Sequence, residues 1–218
     1  MKTTIIFDVD GTLVDTNWLH AQSWVDTLRK FGVEVNKKEV LPMIGTGGEK
    51  ITRKFFTREQ VDKFSEAAIK SHSENIARIV ESARVFPKVK ELFQELKKRG
   101  KTIVLATSAR QVIVDTHIKN MGVSDSINAV VSSSEVQHTK PDPDIFEKAL
   151  EKAKTTAQDA VVVGDTVWDA IAATRAAIPI VAVLTGGNLA QDLRKAGAVE
   201  IYKDVAHLLS CLDDSLLK

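Results

Sequence analysis

The stretch Thr3-Thr4-Ile5-Ile6-Phe7-Asp8-Val9-Asp10-Gly11-Thr12 decides how the rest of this chain is read. Five residues, mostly β-branched or aromatic, run to Phe7 and stop abruptly at an acidic pair. A short apolar run of this kind is the pattern of a strand buried on both faces of a parallel sheet. Asp8 and Asp10 then stand two residues apart just past the strand end, where open α/β sheets bind their ligands. Gly11 permits the sharp turn that brings the two carboxylates together. One carboxylate is suited to attack a reacting group, and the other to act as acid and base at the leaving oxygen.

Further runs repeat the signal at Thr102–Ala106, Ala129–Val131, Ala160–Val163 and Ile180–Leu184, with a weaker one at Val199–Tyr202. Helical spacing fills the gaps over Pro87–Arg99, Gln111–Met121 and Pro143–Ala153. The first two helices end before Gly100 and Gly122, as helix stops require. The alternation predicts an α/β fold, a Rossmann-like doubly wound parallel sheet. Between Thr16 and Ser82 that rhythm breaks. Helix-like stretches at Asn17–Phe31, Lys38–Met43, Glu49–Phe56 and Arg58–Glu81 follow one another without a strand. The expected division is a core of residues 1–15 and 83–218, with residues 16–82 inserted after the first strand as a helical cap. A cleft between the two parts is the natural ligand site.

The 218 residues are 44% hydrophobic and 27% charged, and 30 Lys+Arg against 29 Asp+Glu leave a formal net charge of +1. Neither disorder nor a broad footprint for nucleic acid or an anionic membrane is expected from such a balance. Cys211 is the single cysteine, so an intrachain disulfide and a cysteine-based metal site are both excluded. The longest apolar run, Ala176–Leu184, has nine residues and contains Pro179. A membrane-spanning helix needs about 20, and the run ending at Asp8 is too short for a signal peptide. The reading predicts a cytoplasmic protein, a monomer or homodimer, acting on a small molecule.

Chemistry gathers at other strand ends too. Thr107 and Ser108 follow the second strand, and Gly164-Asp165-Thr166-Val167-Trp168-Asp169 follows the fourth. A helix starting near Val167 would turn Asp165 and Asp169 back toward the strand end. Asp169 is equally at home as a first-turn residue favoured by the helix dipole. Asp8, Asp165 and a backbone carbonyl are hard oxygen ligands that suit Mg2+ with retained waters. Lys140, in Thr139-Lys140-Pro141-Asp142-Pro143, has a restricted backbone on both sides. A cation fixed there balances Asp8 and a phosphoryl oxygen, to which Thr107 can also donate.

In the insert, Ile44-Gly45-Thr46-Gly47-Gly48-Glu49-Lys50 is the candidate for reaching the core site, because its glycines allow close backbone approach. Gly47, Gly48, Glu49 and Lys50 are candidate substrate contacts there, as is Arg53; a plain turn between helices is the competing reading. His20 and Trp24 share a helix face at i,i+4 and either line the cleft or pack at a helix interface. Trp168 packs under the site or against the insert. His72, His117, His138 and His207 show no metal-ligand spacing and receive no role.

Taken together, Asp8-Val9-Asp10-Gly11-Thr12, Thr107, Lys140, and Asp165 with Asp169 resemble the four motifs of the haloacid dehalogenase-like hydrolase superfamily, and the resemblance covers nearly the whole chain. It implies that Asp8 is a nucleophile passing through an aspartyl-phosphate. It implies that Asp10 protonates the leaving alcohol and then activates water, and that Thr107 and Lys140 hold the phosphoryl group. Mg2+ would be bound by Asp8, the carbonyl of Asp10 and Asp165, with Asp169 acting through water. The second aspartate narrows the choice: an alkoxide leaving group needs a proton and a halide does not. The chain is similar to the phosphatases of the phosphoglycolate phosphatase-like group. A hexose-phosphate mutase, of the β-phosphoglucomutase kind, is the alternative, and a non-catalytic binding module is a further one. Two positions depart from the pattern. Thr139 stands where glycine commonly precedes the motif lysine, and Ala177 where many relatives have glycine; neither is expected to touch the chemistry.

Overall fold

The computed structural model describes residues 2–218. In chain order they form β1 (Thr4–Phe7), β2 (Val14–Asp15), α1 (Asn17–Lys30), α2 (Lys37–Val40), α3 (Gly48–Phe55), α4 (Arg58–Ile79), β3 (Arg84–Val85), α5 (Val89–Lys98), β4 (Thr102–Ala106), α6 (Gln111–Met121), β5 (Ala129–Val131), α7 (Asp144–Ala153), β6 (Ala160–Gly164), α8 (Val167–Arg175), β7 (Ile180–Val183), α9 (Ala190–Lys195), β8 (Ala198–Tyr202) and α10 (Val205–Ser210). The expected strands and helices recur with ends displaced by a residue or two.

Six strands pair into one parallel sheet in the order β5-β4-β1-β6-β7-β8. The chain builds outward from β1 to β5 on one side, then crosses over to β6 and builds outward to β8 on the other. β1 therefore lies at the switch point, and its carboxyl end opens between the ends of β4 and β6. Alternation along β1 feeds two cores. Ile5 and Phe7 face α5, α6 and α10 in a cluster with Leu92, Phe93, Val114 and Leu208. Ile6 faces the opposite layer with Val104, Val162, Phe146 and Ala173. Phe7 and Phe93 meet with ring centroids 4.9 Å apart. This double burial is why the strand reads as a continuous apolar run instead of alternating with polar residues.

The helices between β2 and β3 bury a separate cluster of Ala21, Trp24, Val25, Leu28, Val40, Ile51 and Phe56. At the base of this segment, β2 and β3 pair antiparallel, Val14 with Val85 and Asp15 with Arg84. This ribbon was not foreseen, since two residues per strand carry no periodicity. Capping boxes start two of the helices: Asn36 with Glu39 before α2, and Thr57 with Gln60 before α4.

Ala177 closes the turn after α8 at φ 57°, where Ala177 N donates to Thr174 O and Ile178 N to Ala173 O. A Cβ in this left-handed region is strained. Ala177→Gly is expected to stabilise the fold by about 0.5–1 kcal/mol after allowing for glycine's freer unfolded chain. A thermal melt checks this, and a lower midpoint would contradict it.

Candidate active site

The turn after β1 places Asp8 at the bottom of a cavity and Asp10 in its wall. Gly11 makes the turn possible on two counts. Its φ is 82°, and a Cβ there would lie 2.3 Å from the side chains of both Asn17 and Asp165. Thr12 Oγ1 sits 3.0 Å from Asp8 Oδ2 and 2.8 Å from Asp165 Oδ1, so its one hydroxyl hydrogen stitches the first strand end to the fourth motif. Asn17 Nδ2 donates to Asp165 Oδ2 at 3.0 Å.

Lys140 lies directly behind Asp8. Its fully buried Nζ is 2.5 Å from Asp8 Oδ1 and 2.7 Å from Asp169 Oδ1. Asp169 also begins α8: its carboxylate accepts from Thr166 N at 3.1 Å, while Asp169 N donates to Thr166 Oγ1 at 3.2 Å. Asp169 thus caps the helix, as a first-turn residue can, and also pairs with Lys140, a contact its place in the sequence did not announce.

Asp8, Asp165 and Asp169 each present a carboxylate oxygen, all within 4.8 Å of one another and all buried. Lys140 pairs with two of these three carboxylates, Asp8 and Asp169. Burial pushes the Asp8 carboxyl up to about 7, with Lys140 opposing and Asp169 and Asp10 adding to the rise. Burial also holds Asp165 well above the usual carboxylate range, reinforced by Asp8 and Asp169. Burial works against the Lys140 ammonium, yet Asp169 and Asp8 outweigh it and hold its pKa above the ordinary lysine value.

Asp10 has the opposite environment. Thr16 Oγ1 donates to its Oδ1 at 2.6 Å, and Thr107 Oγ1 to its Oδ2 at 3.3 Å. His20 Nε2 lies 3.1 Å and His117 Nε2 3.3 Å from Oδ1. Burial alone would raise the Asp10 carboxyl, but the facing rings of His20 and His117 bring it well below the usual range. The two aspartates of one turn are therefore pushed apart in acidity by their surroundings.

The cavity has a volume of about 300 Å³ and lies between the sheet end and the helices α1, α3 and α4. Thr107 and Ser108 line its floor, with His20, Gly47, Gly48 and Glu49 on the facing side. Ser108 Oγ donates to Gly45 O at 3.2 Å. The close approach expected of Gly47 is real, although its neighbour is protein: a Cβ there would meet Thr139 Oγ1 at 2.1 Å.

Three expectations need correction. Lys50 does not line the cavity; its Nζ pairs with Asp142 Oδ2 at 2.6 Å and holds that carboxyl below its usual range. Arg53 is exposed and also lies outside the lining. Thr139 is not remote from the site. It is buried, lines the cavity, and its hydroxyl donates to Glu49. Trp168 Nε1 donates to Pro42 O at 2.8 Å, which joins it to the inserted segment. Sequence reasoning missed Asn17, His72 and His117. His72 Nε2 lies 3.2 Å from His20 Nδ1, and its ring stacks on Trp24 with centroids 4.2 Å apart. His117 is wholly buried. Each is brought in from a separate helix, so no spacing along the chain could have announced it.

The family model described as haloacid dehalogenase-like hydrolase matches residues 5–183. Pyrophosphatase PpaX of Bacillus anthracis is 30% identical over 216 residues, covering 97% of this chain and 98% of that protein. The protein SUPPRESSOR OF QUENCHING 1, chloroplastic, of Arabidopsis thaliana is 30% identical over 212 residues; the match spans 94% of this chain and only 20% of that longer protein. Among solved structures, a hydrolase from Pseudomonas syringae superposes with a TM-score of 0.88 at 29% identity, covering 98% of this chain and 99% of that one.

Proposed function

This chain belongs to the haloacid dehalogenase-like hydrolases, and on that premise we propose that it is a Mg2+-dependent phosphatase acting on a small phosphorylated metabolite in the cytoplasm. The observation that carries the reading is the meeting of Asp8, Asp10 and Thr107 in the lining of one cavity, with buried Lys140 bonded to Asp8 and buried Asp165 joined to it through Thr12.

In this reading a carboxylate oxygen of Asp8 attacks phosphorus. The ester P–O bond breaks, and the leaving oxygen takes a proton from Asp10. Asp10, now ionised, removes a proton from water, which attacks phosphorus. Phosphate departs and the Asp8 carboxylate returns. Thr107 and Ser108 bind phosphoryl oxygens, and Lys140 supplies a fixed positive charge behind Asp8. Asp10 as surrounded here rests as the base that the water step needs, so the proton it passes to the leaving oxygen enters with the substrate, from the hydroxyl of a phosphate monoanion, and the proton it takes from water returns to solvent. Residues 16–82 act as the cap and exclude bulk water from the cavity.

The donor set fits a hard divalent ion. Three buried carboxylates present oxygens within 4.8 Å of one another, and burial raises the pKa of two of them, Asp8 and Asp165, a cost that a divalent cation would offset. Asp8, the main-chain carbonyl of Asp10 and Asp165 would hold Mg2+. Asp169, whose oxygens already serve Lys140 and Thr166, would reach it through water. Bound there, the ion supplies charge that favours ionised Asp8 and offsets the phosphoryl oxygens.

The purified protein should release phosphate from p-nitrophenyl phosphate with Mg2+, and EDTA should lower the rate by about 100-fold or more. Pyrophosphate, named for the Bacillus relative, belongs in the same panel. Isomerisation of a hexose 1-phosphate without phosphate release would move the chemistry to the mutase alternative. Metal binding without turnover of any phosphate ester would leave a binding module.

A further inference from the structure

Reaction at Asp8 with proton transfer at Asp10 fixes the direction of the leaving group. It must extend past Asp10 toward α1 and α4, where His20 Nε2 lies 3.1 Å from Asp10 and Trp24 follows one turn later on the same helix. The large apolar side chains lining the cavity are Trp24, Ile44, Ile51, Ile69, Ile113 and Val136. Its polar side chains are mostly engaged. Glu49 accepts from Thr139, Ser73 Oγ donates to Ile69 O at 2.9 Å, and His72 Nε2 faces His20. His72 Nδ1 is the buried polar atom left without a partner on this side among the described residues.

Charge is equally sparse. Lys140 is committed to two aspartates and Lys50 to Asp142. Arg110 is the one permanently charged cation among the described lining residues, and it is exposed. Burial keeps His72 neutral. Glu49 adds negative charge to the wall.

Resting on the phosphatase reading, we infer that the substrate is a phosphate monoester whose leaving alcohol carries a small apolar body. A second phosphate would meet Glu49 in the lining and find exposed Arg110 as its one permanently charged partner, a weak return for its lost hydration. A sugar would bring several hydroxyls to a wall with one unpartnered buried polar atom. An alkyl body instead gains by burial against isoleucine and tryptophan.

The test is a homologous series of ethyl, n-propyl and n-butyl phosphate, whose leaving alcohols are nearly equal in basicity, run against pyrophosphate and glucose 6-phosphate. With the whole chain and saturating Mg2+, kcat/KM should climb about fourfold per methylene. Butyl phosphate should exceed both comparison substrates. Ile69→Asp should flatten the climb, with far-UV circular dichroism and melting confirming that the variant is folded. A flat or falling series with faster turnover of pyrophosphate or glucose 6-phosphate overturns the inference and leaves the phosphatase reading standing. An unchanged climb in a folded Ile69→Asp variant removes this wall from the recognition site. Phosphate release from none of the five compounds overturns the inference, and if p-nitrophenyl phosphate is not hydrolysed either, the phosphatase reading falls with it.

Discussion

Asp8→Asn lowers kcat for p-nitrophenyl phosphate by about 10⁴-fold or more, the scale seen when a nucleophile that works as part of a unit is removed. The substitution keeps the side chain's size and removes its charge and nucleophilicity. Lys140 retains Asp169 at 2.7 Å as a partner, so the ammonium is not stranded. Thr12 can still donate to Asp165 at 2.8 Å. The variant should therefore remain folded, with a melting midpoint within a few degrees of the parent. Rapid quench with labelled substrate should show no phosphoryl group on the protein. Retained turnover in Asp8→Asn would sink the nucleophilic role. Loss of activity together with loss of the fold would point to a structural role.

Lys140→Met acts through stability as well as activity. The lysine is wholly buried and is the single cation contacting Asp8 and Asp169 among the described residues. Breaking a buried charge arrangement by removing one partner destabilises by about 3–5 kcal/mol. For a chain of this size that is a fall in melting midpoint of about 10 °C or more at pH 7.5. The pH dependence has a definite sign. In the parent, Lys140 is held above its ordinary value of 10.5, so its contribution is complete below that pH and is lost only as the pH rises beyond it. In the variant, Asp8 loses the attraction that opposed its burial, and its carboxyl rises beyond about 7. A carboxyl raised in the fold binds its proton more tightly than in the unfolded chain, where the value is 3.8. Because the parent's Asp8 itself takes up its proton near pH 7, acidification favours both folds below that pH, and the deficit narrows chiefly between pH 7.5 and 6, where the variant's Asp8 is already protonated and the parent's is not. Melts of parent and variant at pH 5, 6 and 7.5 measure this. A deficit that widens on acidification would contradict the account, as would a variant as stable as the parent at pH 7.5.

How much was readable in advance differs between core and insert. Residues such as Ile5, Ile6 and Phe7 are buried on both faces, so their run in the chain is itself the strand signal. The same holds for Thr102–Ala106 and Ala160–Gly164. Motif residues at strand ends were legible because a parallel sheet delivers every carboxyl end to one edge. The insert was legible as helices, but its contacts were not. Lys50 and Glu49 are adjacent in sequence on the first turn of α3, yet one pairs with Asp142 outside the cavity and the other lines it. One residue of helical rotation separates these outcomes, and composition carries no record of it.

The pattern of apolar runs and strand-end acids determined the α/β fold, the inserted helices and the identity of the chemical groups, because burial and backbone geometry act over a few residues at a time. Three-dimensional packing decided which side chains those groups would meet. His72 and His117 joined the surroundings of Asp10, Thr139 became a partner of Glu49, and the isoleucines of three separate elements formed one apolar wall. Such contacts depend on the rotation and separation of whole helices, set by the summed packing of many residues, and so no local stretch encodes them.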